Sequence, residues 1–319
     1  MQRKIGERRP FGIGPRSPGF SAVEVLVVLV IVALLAVFVL MSLPRQRESA
    51  RLASCQRNLM QVGIALAMYN QAERHLPTVP ELSGDGAPRG DSPLRALLEV
   101  LALPDFGGLG DVKSPPPKGS GFVPSERPVA GFACPSDPNA TSRLFPAPIS
   151  YRATAGDHPE GRDGAFAPGR RMSIEEIETG DGTSFTAAFA ERLVGTGIAK
   201  DRAARNYAVV PGPLGDAGCS PTDPASWRGD AGSSWVDSNW QSTLYNHALT
   251  PGASPSCLAV DGRSAFMGAS SGHVDRVNVL IFDGGVRLYT PRVDPNIWRA
   301  LATTNSPVTS PPGADGPTP

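Results

Sequence analysis

Behind a basic leader, the run from Val25 to Leu43 is 19 residues of Val, Leu, Ile, Ala, Phe, Met and one Ser, with no charge at all. A helix of that length reaches about 29 Å at about 1.5 Å per residue, the depth of a bilayer's hydrocarbon core. A cleaved secretory signal has a shorter apolar core and a small-residue exit, whereas this run ends in Leu43-Pro44-Arg45. A globular core helix this uniformly Val/Leu/Ile-rich directly behind a basic leader is uncommon. The sequence therefore predicts a membrane-spanning helix over residues 20–44, with the leader on the cytoplasmic side and everything from residue 45 outside.

Charge is distributed accordingly. Residues 1–19 hold Arg3, Lys4, Arg8, Arg9 and Arg16 against Glu7, while from Leu76 onward 20 basic residues face 26 acidic ones. The whole chain of 319 residues balances 30 basic against 30 acidic, which argues against a dedicated nucleic-acid partner. Gly and Pro occupy 68 positions and charged residues only 19 %, so the chain is loop-rich and is neither a coiled coil nor wholly disordered.

Glu24 interrupts the apolar edge, where a carboxylate needs a partner. Cutting after Gly19 would put a positive α-amine on Phe20, an ionic partner for Glu24 of a neighbouring subunit. Gly19-Phe20-Ser21-x-x-Glu24 ahead of an unbroken apolar helix resembles the prepilin-type cleavage and methylation motif of type IV pilins and type II secretion pseudopilins. The resemblance implies removal of residues 1–19 by a prepilin peptidase/N-methyltransferase and methylation of Phe20. It also implies other pilin-like subunits and the lipid bilayer as partners, and a single-pass protein of the inner membrane, its N-terminus cytoplasmic and its outer domain extracytoplasmic.

Beyond Pro44, a residue that would kink a continuing helix or mark a membrane exit, Leu52, Cys55, Leu59, Val62, Leu66 and Tyr69 recur at alternating spacings of three and four. That is the apolar stripe of an amphipathic helix over 45–75, and Ala50, Ala53, Gly63, Ala65 and Ala67 permit close packing on the body of the same domain. The stretches Arg45–Arg51 and Cys55–Leu66 resemble a large bacterial prepilin-like family of unknown function that couples such a helix to a β-rich ectodomain. The fold expected is α+β and pilin-like: a long transmembrane and amphipathic helix packed on an antiparallel sheet with long loops, the ectodomain covering 76–302 and a disordered tail 303–319.

Later segments repeat the resemblance. Phe132-Ala-Cys134-Pro-Ser-Asp137-Pro138 matches the family's Cys-Pro-Ser-Asp-Pro segment. From the residues alone it is a rigid turn in which Asp137 acts as a cap or, less readily, offers an oxygen to a cation. Ser173 with Glu176 forms a capping box for a short helix over 172–178, Asp181–Ser184 is a turn, and Phe185 to Leu193 an apolar strand ending at Glu191. A possible short helix covers 94–103, within a Pro/Gly-rich excursion over 77–130 that, with 195–260, should face outward.

His273, nine residues, then Asp283-Gly284 resembles that family's C-terminal signature. Val277–Phe282 and Val286–Tyr289 read as a hairpin through a Gly turn, with the first strand covered on both faces. His273 and Asp283 sit at opposite ends of that strand, nearly 30 Å apart at about 3.3 Å per residue, so they read as structural rather than as one acid/base or metal site. Neither a zinc spacing nor a nucleophile elbow nor a P-loop appears, so no catalytic residues, metal or cofactor are expected.

Cys55, Cys134, Cys219 and Cys257 form no Cys-x-x-Cys pair and in an extracytoplasmic domain admit three pairings. Cys55 with Cys134 and Cys219 with Cys257 is the expected choice, because the latter pair brackets one loop-rich insertion. Trp227, Trp235, Trp240 and Tyr245, with Asn239, either pack that insertion or line a glycan or peptide surface. The function expected is structural: a non-catalytic subunit of a pilus or secretion-type assembly. The alternative is a tethered extracytoplasmic binding protein for a sugar or peptide that does not polymerise.

Overall fold

The computed structural model describes residues 21–82, 90–101, 128–142, 144–215 and 218–305. The leader with Gly19 and Phe20, much of the 77–130 excursion, and the tail from 306 lie outside the described residues. The chain divides into two units, Met1–Arg47 and Glu48–Pro319.

In the first unit, helix α1 (Ala22–Glu73) begins on its own cap. The Ser21 N–H donates to Glu24 Oε2 at 2.8 Å and the Val23 N–H donates to Ser21 Oγ at 3.2 Å, the reciprocal bonding that a Ser-x-x-Glu sequence allows at a helix start. The large apolar side chains from Val23 to Val37 are 48–68 % exposed. Among the described residues, however, no helix is long and apolar enough to cross a membrane. This corrects the expected transmembrane helix over 20–44.

In the second unit, the stripe on α1 meets the body. Cys55, Leu59, Val62 and Leu66 are buried, and Leu52 and Tyr69 are half-buried. Of the small residues, Gly63 is placed by a close approach: a Cβ there would stand 3.0 Å from Leu280 Cδ1. Ala65 is buried too, while Ala50, Ala53 and Ala67 face outward. The helix ends on Arg74, a non-glycine with φ of 62°, whose N–H closes on the Asn70 carbonyl.

The architecture is α+β, but the single antiparallel sheet of the sequence reading is replaced by two mixed sheets. The strands are β1 (Tyr151–Thr154), β2 (Ala187–Glu191), β3 (Tyr207–Val210), β4 (Trp227–Arg228), β5 (Leu244–Tyr245), β6 (Ser256–Ala259), β7 (Ala265–Phe266), β8 (Val277–Ile281) and β9 (Val286–Tyr289). The first sheet runs β5-β1-β2-β8-β9 and the second β4-β3-β6-β7. Strands β1 and β5 are parallel, as are β3 and β6, and every other pair is antiparallel. The second sheet lies where the sequence suggested a loop-rich insertion.

Strands β1, β2 and β8 are buried throughout. One face, with Leu280, packs under the α1 stripe; the other, with Val277, Val279 and Ile281, packs on Trp298 of α5 (Pro295–Ala300). A register shift between Ala187 and Phe189 puts the consecutive residues Ala188 and Phe189 in the same core cluster, as a bulge does. Strands β8 and β9 form the expected hairpin, its turn closed by the Gly284 N–H to the Ile281 carbonyl with Gly284 at φ of 83°.

Helix α2 (Pro93–Leu101) overlaps the 94–103 expectation, starting one residue earlier. Helix α3 (Pro138–Thr141) and α4 (Ile174–Thr179) start on Asp137 and on the Ser173/Glu176 capping box. Trp227, Trp235, Trp240 and Tyr245 are all buried, so they pack the core and present no glycan surface. Thr303 and Thr304, which the sequence reading put in a disordered tail, are buried, and the Thr304 N–H donates to the Asp163 carbonyl at 3.1 Å.

Candidate functional site

Strand β2 ends at a buried carboxylate, Glu191, in an otherwise apolar strand. Its neighbour β8 holds it: the Asn278 N–H donates to Oε2 at 2.9 Å and Asn278 Nδ2 donates to Oε1 at 3.0 Å. The segment entering β8 brings His273 to the same place, with its side chain 2 % exposed. Nδ1 of His273 meets Glu48 Oε1 at 2.6 Å, and because a carboxylate only accepts, that nitrogen carries the proton. Nε2 faces Glu191 Oε1 at 3.6 Å and Cys134 Sγ at 3.6 Å.

Cys134 is bonded to Cys55 on α1, and the second disulfide joins Cys219 to Cys257 of β6. Two residues past Cys134, the Ser136 hydroxyl donates to Glu48 at 3.1 Å. The two loops pass so closely that a Cβ on Gly272 would stand 1.9 Å from the Ser136 carbonyl oxygen. Asp137 of the same turn is a cap and a hub: it accepts from the N–H groups of Asn139 at 3.2 Å and Val194 at 2.8 Å, and pairs with Arg205 at 3.2 Å. Burial pushes its carboxyl above the usual range, against the Val194 N–H and the Arg205 guanidinium. Four chain segments therefore converge on one buried group of ionisable side chains.

Electrostatics set the protonation there. Burial works against a charge on His273, yet the carboxylates of Glu191 and Glu48 outweigh it, and its pKa lies above 6.5. The His273 ring thus sits between the side chains of Glu48 and Glu191, beside a disulfide. A narrow crevice of about 130 Å³, partly open to solvent, reaches Cys134, Asp137 and Glu191. It is too tight to hold a water molecule, so it is no small-molecule pocket.

His273 and Asp283 do not meet. Asp283 lies in the β8–β9 turn, where it accepts from the Gly285 N–H at 2.8 Å and pairs with Arg287 at 3.0 Å. The partners of His273 are instead Glu191 and Glu48, which the sequence reading missed as site residues. A signal existed for each: Glu48 lies seven residues before Cys55, extending the stripe by two helical turns, and Glu191 is the one charge closing an apolar strand. Gly19 and Phe20 lie outside the described residues, and Glu24 is exposed at the start of α1.

The family described as protein of unknown function (DUF1559) matches residues 44–296. The chain belongs to that family. In this DUF1559 chain the matched region takes in Glu48, Cys55, Cys134, Glu191, His273 and Asp283, and leaves out Gly19, Phe20 and Glu24. No curated protein and no solved structure matches the chain.

Among the described residues, two groups of side chains have the donor chemistry to hold a metal. Ligand atoms of Cys55, Cys134, Glu191 and His273 all lie within 4.8 Å of one another and all four residues are buried; those of Asp157, His158 and Asp163 do likewise at half-buried positions. In the second group, burial and the neighbouring Asp163 raise the Asp157 carboxyl to about 6. All four cysteines are oxidised, so no thiol nucleophile is present.

Proposed function

We propose that this chain is a non-catalytic subunit of a type IV pilus- or type II secretion-like assembly, processed after Gly19 and N-methylated on Phe20 by a prepilin peptidase. The observation that carries the reading is the exposed apolar surface of Val23 to Val37, next to Glu24, in a protein whose body is otherwise well packed. An apolar surface on that scale marks an interaction face. Helices of other pilin-like subunits would cover it, and the Phe20 amine of one subunit would meet Glu24 of the next. The two disulfides support a working place outside the cytoplasm.

The test is the intact mass of the protein isolated from its own cells. The expected chain begins at Phe20 and carries one added methyl group; a chain still beginning at Met1 overturns the proposal. Because Glu24 also caps its own helix, the substitutions Glu24→Gln and Glu24→Ala separate its two uses. Glutamine keeps the cap and loses the charge. Assembly into fibres should fail with both if the ion pair drives it, and assembly that survives Glu24→Gln removes the charge from the mechanism.

A further inference from the structure

We infer that the Cys55–Cys134 disulfide masks a latent site for one divalent metal of the zinc class, which the reduced chain binds through Cys55, Cys134, Glu191 and His273. This goes beyond the assembly role and does not depend on it. The ligand atoms lie within 4.8 Å of one another and are buried. Tetrahedral zinc with bonds of about 2.0–2.3 Å needs donor pairs roughly 3.3–3.8 Å apart. Nε2 of His273 already stands 3.6 Å from both Cys134 Sγ and Glu191 Oε1.

The surroundings match what such a site requires. Nδ1–H of His273 is held by Glu48, so Nε2 is the nitrogen left to bind, in the carboxylate–histidine–metal arrangement common at zinc. Asn278 fixes both oxygens of Glu191 from outside the cluster. Two thiolates, one imidazole and one carboxylate suit a borderline-soft tetrahedral ion better than calcium or magnesium, which take oxygen.

The step balances with a named co-reactant. A small dithiol or a reduced thiol–disulfide oxidoreductase delivers two electrons and two protons to the Cys55–Cys134 bond and is itself oxidised to a disulfide. The metal then displaces the two thiol protons to solvent, with the Nε2 proton wherever His273 carries one, and the sulfurs separate by side-chain rotation to span it.

Cobalt titration of the full chain, oxidised and phosphine-reduced, tests this. The reduced chain should bind one Co²⁺ with a thiolate-to-cobalt charge-transfer band and tetrahedral d–d bands, displaced by Zn²⁺; the oxidised chain should show neither. His273→Ala should abolish the tetrahedral spectrum, and Glu48→Gln should weaken binding by about 10–100-fold while keeping its shape. A reduced, folded chain without the band overturns the site, as does a band unchanged in His273→Ala, which means metal on loose thiols. If reduction alone unfolds the chain, Zn²⁺ should restore its circular dichroism, and failure to restore it overturns the site equally.

Discussion

Two buried histidines respond to pH in opposite directions. His273 has a folded pKa above its unfolded value, so its contribution to stability is complete below about pH 6.5 and is lost as pH rises through the folded pKa. His247 stacks on Trp298 with ring centroids 3.7 Å apart, and burial lowers its pKa to about 3. Between pH 6.5 and 3 the unfolded chain takes a proton there that the folded chain refuses, so stability falls as pH falls through that window. Urea melts at pH 4, 6 and 8 should show the acid loss shrink in His247→Gln and the alkaline loss shrink in His273→Gln. Asp157, raised to about 6 by burial and Asp163, opposes folding at neutral pH. Asp157→Asn should therefore stabilise the chain at pH 7 by about 1 kcal/mol, a gain that vanishes near pH 4 in the same melts. At this scale the sequence showed what is local. The Ser173/Glu176 capping box and the Asp137 cap follow from spacing of two or three residues, and Ser21-x-x-Glu24 is the same pattern, overlooked because the glutamate already had another explanation. The Glu48–His273 pair spans 225 positions, and no local pattern announces such a partner.

Among elements, α1 and the β8–β9 hairpin were legible because their periods repeat. The α1 stripe runs through six apolar positions, and β8 is a five-residue run closed by Asp283-Gly284-Gly285. The second sheet was not, since strands of two to four residues are too short to show alternation, and Gly and Pro between them read as loop. Parallel pairing was equally hidden, because it joins strands distant in sequence. Between elements, Leu280 of β8 packs under Gly63 of α1. Leu280→Ala should cost about 2–5 kcal/mol in urea melts. Gly63→Leu should also destabilise the body, since even a methyl there would stand 3.0 Å from Leu280, inside van der Waals contact.

At the scale of the whole chain, the disulfides bind distant parts. Cys55–Cys134 closes 79 residues and Cys219–Cys257 closes 38, and in the chain-entropy account each bond contributes roughly 4 kcal/mol. Replacing Cys219 and Cys257 by serine should lower stability by about 2–4 kcal/mol while leaving the first sheet folded, readable as a lower urea midpoint with the Trp298 environment retained. Arg192, buried after β2, reaches the Ser256 hydroxyl of the second sheet at 3.0 Å, a link between the sheets that does not run through that disulfide. The Cys55–Cys134 bond also has a mechanical meaning. Tension applied along α1 from its N-terminal side would first strip Glu48 from His273 and Ser136, then arrive at a covalent link to the body. Past that link, peeling the remainder of the helix, with Leu59, Val62 and Leu66, requires the body around Cys134 to give way as well.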